Sequence, residues 1–414
     1  MFSSSRPAAL PPAFHAIWAA HTVSQFGSQV TLLALPLTAL LVLGANPFQM
    51  GLLTALGSLP NLLFSLPAGV WVDRWNKKRT MIGTDLARAA LLLPVPLLAH
   101  FSLLRLEPLL LIAFLVGAAS VFFDLASAAT VPVLLGRDHL IGGNARLEAS
   151  RSTASVTGPS LGGVLVQALG APLALLLDAL SFVASALLLT RIPTGSTSAN
   201  SAARPRMWAE VRVGLRALLE RPLLGALVRS VGLWNFFVGV GSAVHLLFLT
   251  RNLGLGPAQV GAVLTAEGVG MLCGTALVGP LQRRFPLGTV LMASGALAVL
   301  CAFGVVGVSL LPPPWRFPAL LVNDFLSGLG YMVFAILTSS CRQAATPAAL
   351  QGRVAATFRF VILGGLPLGA LLGGVIAQGF SPSAALLTTA AGMLLAWALL
   401  FATSIPGLRQ LPEA

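Results

Sequence analysis

Four carboxylic acids stand inside long apolar stretches of the sequence, where acids are rare. They are Asp124, Asp178, Glu267 and Asp324. A charged group near the centre of a membrane costs at least about 2.5–3.5 kcal/mol, so each side chain is expected to face protein or water. A buried carboxyl group holds its proton more tightly than one in water does, which suits reversible proton binding near neutral pH. The alternative for each residue is a structural hydrogen bond to a neighbouring helix.

Glu267 lies close to the middle of its apolar stretch, and together with Asp324 it is the main candidate for proton binding. Asp124 is the third candidate. The third predicted span contains a further pair of charged residues, Asp85 and Arg88, which are one helical turn apart. We expect a charge network made of Asp85, Arg88, Asp124, Glu148 and Arg151.

Amide and aromatic side chains occur in the same apolar stretches. A cavity that mixes such groups suits amphiphilic or lipophilic small molecules. The alternative for the aromatic residues is contact with lipid. The candidates for a substrate cavity are Gln25, Gln29, Asn61, Asn235, Phe236, Asn323 and Tyr331.

The amino-acid composition indicates the class of protein in which these groups occur. Of 414 residues, 56% are apolar and only 9% are charged, whereas soluble proteins carry about 25% charged residues. This excludes a soluble enzyme and indicates a chain that crosses a membrane many times. The three cysteines show no metal-ligand spacing, and the sequence has no Walker loop, nucleophile elbow or nucleic-acid-binding module. We expect no catalysis, no metal, no cofactor and no nucleic-acid partner.

Breaks in the apolar pattern predict twelve membrane-spanning helices. A helix needs about 20 apolar residues to cross a bilayer, and since lipid cannot satisfy open backbone groups, apolar segments this long are predicted to be helices. The predicted spans are 14–43, 47–71, 80–103, 108–131, 146–170, 172–190, 222–249, 257–281, 288–311, 317–341, 353–379 and 383–405.

Basic residues alternate between the loops in a way that fixes the orientation. Among the basic residues of the loops and chain ends, only Arg105, Arg251 and Arg316 lie on one side of the membrane, and the others lie on the opposite side. Because cytoplasmic loops carry the excess of Lys and Arg, both termini are predicted to be cytoplasmic. The expected location is a bacterial-type inner membrane. Nothing in the sequence sets an oligomeric state, and a monomer is the default expectation.

A repeat joins the two halves of the chain. Residues 43–51 are echoed by residues 253–261, and Gly162-Gly163-Val164 recurs as Gly373-Gly374-Val375. Since matching loops fall on the same side of the membrane, the halves are parallel six-helix repeats. We predict an N-terminal bundle over 1–190, a cytoplasmic linker with a short amphipathic helix over 191–221, and a C-terminal bundle over 222–414.

The loop after the second span contains a motif of known type. The sequence resembles the loop motif of the major facilitator superfamily, which has a glycine, then Asp-Arg, then a second glycine and two basic residues. In this chain the second glycine is replaced by asparagine. The resemblance implies a latch on the cytoplasmic side, in which Asp73 accepts hydrogen bonds and Gly69 permits close helix packing. Asn76 replaces the usual glycine and is expected to tolerate the positive φ of a tight turn. The alternative is a plain basic loop. The motif residues are Gly69, Asp73, Arg74, Asn76, Lys77 and Lys78.

The fifth span resembles the antiporter motif of drug exporters within this superfamily. It contains Gly158, Pro159, Gly162 and Gly163, small residues that make a flat packing face bent by proline. Generic small-residue packing is the alternative. Together with Phe123-Asp124, Asn144 and Asp178 to Phe182 in the neighbouring sequence, the motif is similar to the drug:proton antiporter branch that includes macrolide efflux proteins and the enterobactin exporter.

The resemblance implies a twelve-helix, all-α transporter that exports small amphiphilic compounds in exchange for protons by alternating access. Its partners would be a small-molecule substrate, protons and membrane lipids. By the same resemblance, Asp324 would line the central cavity, whereas Asp178 belongs to a peripheral span and is expected to be structural. Two alternatives stay open: a symporter or lipid mover on the same fold, and a membrane receptor or scaffold that transports nothing.

Overall fold

The structure, a computed structural model, describes residues 11–64, 67–192, 221–347 and 350–412. All regular secondary structure in these ranges is helical. Thirteen α-helices are described: α1 (Pro12–Leu37), α2 (Pro47–Phe64), α3 (Pro67–Arg74), α4 (Lys77–Leu92), α5 (Pro94–His100), α6 (Leu106–Leu169), α7 (Ala171–Thr190), α8 (Pro222–Leu247), α9 (Pro257–Arg284), α10 (Leu287–Gly307), α11 (Pro313–Ala344), α12 (Gln351–Gly379) and α13 (Pro382–Ala398). The predicted linker and its amphipathic helix lie almost entirely outside the described residues.

Each predicted span falls on helical structure. Ten described helices are long and apolar enough to cross a membrane, or eleven if α2 and α3, which meet at a bend of 56°, form one broken span. The remaining predicted span, 146–170, forms the second part of α6. That helix is interrupted at Gly136, whose φ of 64° is open to glycine at little cost. The twelve-span prediction therefore agrees with the described helices.

The chain divides into two compact units, residues 1–43 with 59–201 and residues 44–58 with 202–414. In unit 1, α1 packs against α6 and α7, and α4 packs against the same two helices. An apolar core that includes Phe14, Met81 and Phe123 lies between them.

In unit 2, α8 packs against α12 and α13, while α11 packs against α9 and α10. Trp234 of α8 stacks on Phe334 of α11, with ring centroids 4.8 Å apart, inside an apolar cluster of this unit. The predicted boundaries at 190 and 222 stay a prediction.

The sequence repeat has the same local structure at both of its copies. A π-helical turn (Thr38–Val42 or Phe248–Asn252) is followed by a glycine with positive φ, 65° at Gly44 and 72° at Gly254. A helix then begins at a proline, whose missing N–H costs nothing at that position. The side chains of Gln49 and Gln259 accept hydrogen bonds from the backbone N–H three residues before each of them. The repeat therefore extends from sequence to backbone conformation.

Candidate functional site

Glu267 and Asp324 are brought together by glycines where α9 and α11 cross. A Cβ atom placed on Gly328 would collide with the backbone carbonyl oxygen of Glu267, and one on Gly270 would collide with that of Phe325. A Cβ atom on Gly274 would lie only 2.7 Å from the carbonyl oxygen of Leu329. Small residues let two membrane helices touch along their backbones. Gly328 follows Asp324 by one helical turn on α11. Its contact with the Glu267 carbonyl therefore places Glu267 and Asp324 at similar positions along the two crossing helices.

The two carboxyl groups are near enough to interact electrostatically. Asp324 is 3% exposed, and the Nδ2 atom of Asn323 donates a 3.5 Å hydrogen bond to its Oδ2. Glu267 is half-buried. Two carboxylates that share a site of low polarity do not readily ionise together, so such a pair can keep one proton and exchange it.

Two further polar groups lie around Glu267. His245 of α8 and Tyr331 of α11 both interact electrostatically with its carboxyl group. The Nε2 atom of His245 is buried and makes no hydrogen bond within the described residues. The proximity of His245 to Glu267 was not predictable from the sequence, because the two residues are on different helices and share no motif.

A second buried charge cluster lies in unit 1. Asp85 and Arg88 of α4 form an ion pair one turn apart, as their spacing predicts. The Arg88 guanidinium also lies over the rings of Phe123 on α6, at 4.6 Å, and Phe182 on α7, at 4.1 Å from the ring centroid. Cation–π contact on this scale stabilises a desolvated cation. The aromatic partners were not identifiable from the sequence, because they come from two other helices.

The rest of the predicted charge network is divided. Glu148 and Arg151 form a separate, exposed pair at 3.4 Å. Asp124 has an exposed side chain and forms no ion pair with Arg88 or Arg151 in the structure, although both act on it electrostatically. The five residues therefore form two ion pairs and one separate acid.

In the loop motif, the backbone conformation of Asn76 differs from the one we expected. The φ of Asn76 is −70°, so this residue does not provide a positive-φ turn. Its side chain instead accepts a 3.0 Å hydrogen bond from the backbone N–H of Arg79 and caps α4. Nearby, the Lys78 ammonium donates to the carbonyl oxygens of Thr190, at 2.8 Å, and Ile192. A cation at this place satisfies the carbonyls at the end of α7.

Asp73 and Arg74 are exposed at the end of α3, and Lys77 opens α4. The close helix contact that we expected at Gly69 is not found: no described atom lies within 4 Å of where its Cβ would be. The helix that carries Gly69 is bent away from α2 by 56°.

The antiporter-type motif lies in the second part of α6, against α1. A Cβ on Gly158 would overlap the side chain of Gln29, and one on Gly162 would lie 3.3 Å from the Cα of Val30. Pro159 is half-buried and Gly163 is buried in the same helix. In unit 2 the equivalent glycine, Gly373, packs in the same way on Val240 of α8. The motif therefore forms a close helix contact within unit 1, and the equivalent glycine forms a similar contact within unit 2.

The predicted cavity residues are divided between the units. In unit 1, Gln25 and Gln29 are half-buried on α1, and Asn61 is exposed on α2. In unit 2, Asn235 donates to the Val231 carbonyl of its own helix, at 2.9 Å, and the backbone of Phe236 touches Gly369 of α12. Asn323 and Tyr331 belong to the surroundings of Glu267 and Asp324 described above.

Comparison with known proteins places these features in context. A family model described as transmembrane secretion effector matches residues 5–412. The multidrug efflux pump Tap of Mycolicibacterium fortuitum is 27% identical, covering 94% of each chain. The enterobactin exporter EntS of Escherichia coli is also 27% identical, over 94% of this chain and 91% of the exporter.

Solved transporter structures share the fold at low identity. A bacterial homologue of the iron transporter ferroportin, in an inward-facing state, superposes with a TM-score of 0.78 at 15% identity and covers 95% of this chain and 99% of the homologue. The nucleoside transporter NupG gives a TM-score of 0.75 at 13% identity, over 94% of this chain and 99% of NupG. These similarities concern architecture alone.

Proposed function

The chain belongs to the transmembrane secretion effector family of major facilitator transporters, and from that membership we propose that it exports small amphiphilic compounds in exchange for protons. That the chain is a transporter and not an enzyme follows from the family. The substrate class, the proton coupling and alternating access are our proposal. So are a monomeric state, lipid as a partner and cytoplasmic termini in the inner membrane.

The observation that carries the proposal is the pair Glu267 and Asp324. A proton-driven exporter needs a site that takes up a proton from one side and releases it to the other. Two acids close enough to interact, in surroundings that discourage two negative charges, have this property. Glu267 and Asp324 are therefore proposed as the residues that bind the coupling proton. Asp124, exposed and without an ion-pair partner in the described residues, is the next candidate.

Export is favoured over uptake by two relatives, one an efflux pump and the other an exporter by name. The residues proposed to meet the substrate are amide and aromatic groups on α1, α2, α8 and α11. Such groups suit molecules with both apolar and polar parts. In alternating access the loop motif around Asp73 would stabilise the state closed to the cytoplasm.

The experiment begins with a thermal-shift panel of macrolides, siderophores and lysophospholipids, measured on the purified protein. Any compound that stabilises the protein is then loaded with it into proteoliposomes, and a pH gradient is imposed in either direction. We expect movement of the compound opposite to the proton gradient. Movement in the same direction as the protons would establish a symporter instead. Movement unaffected by the gradient would contradict proton coupling and favour the lipid-mover alternative.

A further inference from the structure

In the part of unit 1 that the structure describes, two carboxyl groups and one cation are buried. Asp85 is fully buried, Arg88 is 2% exposed, and Asp178 of α7 is 1% exposed. Both Arg88 and Asp85 interact electrostatically with Asp178. If both acids were ionised, the cluster would carry an uncompensated negative charge in an apolar interior. Proteins avoid this situation because burying an unpaired charge is among the costliest arrangements in a fold.

Arg88 is already engaged with the other acid. Its Nη2 atom pairs with Asp85 Oδ1, and its guanidinium lies over the rings of Phe123 and Phe182. The guanidinium remains charged under all ordinary conditions. Its charge therefore compensates Asp85 and leaves Asp178 to be neutralised in another way.

The surroundings of Asp178 fit a neutral acid. Its Oδ1 accepts a 2.8 Å hydrogen bond from the Ser181 hydroxyl. The Thr31 hydroxyl of α1 faces the same carboxyl group, and neither Asp178 Oδ2 nor Thr31 Oγ1 makes a hydrogen bond among the described residues. A proton on Oδ2 would turn that oxygen into a donor with Thr31 as its acceptor, so both buried atoms would be satisfied at once.

The site is formed by close packing of α1 on α7. A Cβ atom on Gly27 of α1 would overlap both the Asp178 carboxyl group and the Ser181 hydroxyl. Only glycine fits there, so α1 lies directly over the acid and shields it from its surroundings.

Among the described residues of unit 1, other titratable groups interact with Arg88 or Arg151, but none of them acts on Asp178. His21 of α1 stacks on Phe123 and interacts with Arg88, Arg151 and Glu148. On α6, Asp124 interacts with Arg88 and Arg151, while Glu148 pairs with Arg151 at the surface. The charged groups that act on Asp178 are therefore Arg88 and Asp85, both on α4.

We propose that Asp178 is a proton-binding site: it holds one exchangeable proton that balances the charge of the buried Asp85–Arg88–Asp178 cluster. The sequence led us to expect a merely structural acid at this position. The site is separate from Glu267 and Asp324, and it does not rest on the proposed transport function. Its ligand is a proton, bound on Oδ2 and stabilised by Thr31 and Ser181.

Infrared difference spectroscopy of the full-length protein in lipid nanodiscs tests this directly. Subtracting the Asp178→Asn spectrum from that of the wild type should leave one protonated-carboxyl C=O band, which shifts when the sample is moved into D₂O. The band should also be lost in Asp85→Asn, because Arg88 is then available to compensate an ionised Asp178. The matched control Glu107→Gln, an exposed acid in the same unit and outside the cluster, should keep the band.

Two outcomes would overturn the proposal: no band lost in Asp178→Asn, or a band that does not respond to D₂O. A band that persists in Asp85→Asn would contradict the charge balance. If Asp178→Asn fails to fold, Thr31→Val keeps the acid and removes only its acceptor. The band should then move to higher frequency, because hydrogen bonding lowers the C=O frequency. An unchanged band in a folded Thr31→Val protein would also count against the proposal.

Discussion

Gly328 of α11 lies directly against the backbone carbonyl of Glu267 on α9, with no room for a side chain between them. This contact places Glu267 beside Asp324, one turn before Gly328 on the same helix. The acidic pair therefore depends on a residue that carries no chemistry of its own.

The first prediction concerns this contact. Gly328→Ala should force α9 and α11 apart and destabilise unit 2 by about 1–3 kcal/mol, the usual cost of overpacking. Thermal unfolding in detergent should therefore occur at lower temperature, and pH-driven export should fall with it. Gly279→Ala, on α9 where no described atom lies within 4 Å of the new methyl group, is the control and should behave as the wild type. Equal effects of the two substitutions would show that the contact is unimportant.

The second prediction concerns the end of α7. Lys78→Met removes the ammonium that binds the Thr190 and Ile192 carbonyls, an interaction of about 0.3–1 kcal/mol. Local opening of the helix end, measured as the rate of tryptic cleavage after Arg191, should rise about two- to fivefold. Lys77→Met removes the same charge and the same number of tryptic sites, but Lys77 makes no hydrogen bond from its side chain in the described residues. It should leave the rate unchanged, and equal rates in the two variants would rule out the cap.

The third prediction concerns orientation. In a background without Cys273, Cys301 and Cys341, Arg251→Cys should react with an impermeant thiol reagent added to intact cells. Arg284→Cys should react only after the cells are permeabilised. Both positions are exposed, and both substitutions replace an arginine, so they differ chiefly in the predicted side of the membrane. The reverse labelling pattern would invert the topology.

The fourth prediction concerns the loop motif. Asp73→Asn removes a charged acceptor, and hydrogen bonds to charged groups contribute about 1.5–3 kcal/mol. The closed-to-cytoplasm state should therefore become about tenfold or more less populated, and transport should fall while binding from the cytoplasmic side persists. Glu107→Gln, an exposed acid outside the motif, should have no such effect. Wild-type transport by Asp73→Asn at equal expression would exclude a latch at this residue.

The sequence was sufficient where the physics is local or repetitive. Apolar length predicted the spans that fall on the described helices, and the Asp85–Arg88 spacing predicted their ion pair. Contacts between helices were not predictable, because the rotation of a helix about its axis is set by its neighbours. Phe182 beside Arg88 and His245 beside Glu267 are examples.

Glycine was the most difficult residue to interpret from sequence. Gly69 was expected to make a close contact and makes none in the described residues, whereas Gly328 and Gly27 were not singled out and both make one. A glycine in an apolar helix shows that a close approach is possible, but only the packed structure shows which glycine is used.

The central claim, that Glu267 and Asp324 bind the coupling proton, is tested most directly by two assays on each purified variant in liposomes. Glu267→Gln and Asp324→Asn mimic the permanently protonated forms. Each should abolish uphill export driven by a pH gradient, yet retain downhill exchange of the compound that stabilises the protein most in the thermal-shift panel, since exchange needs no net proton release. Loss of both activities together would indicate structural acids. Full pH-driven export by both variants would contradict the account, and Asp124 would then be the residue to examine.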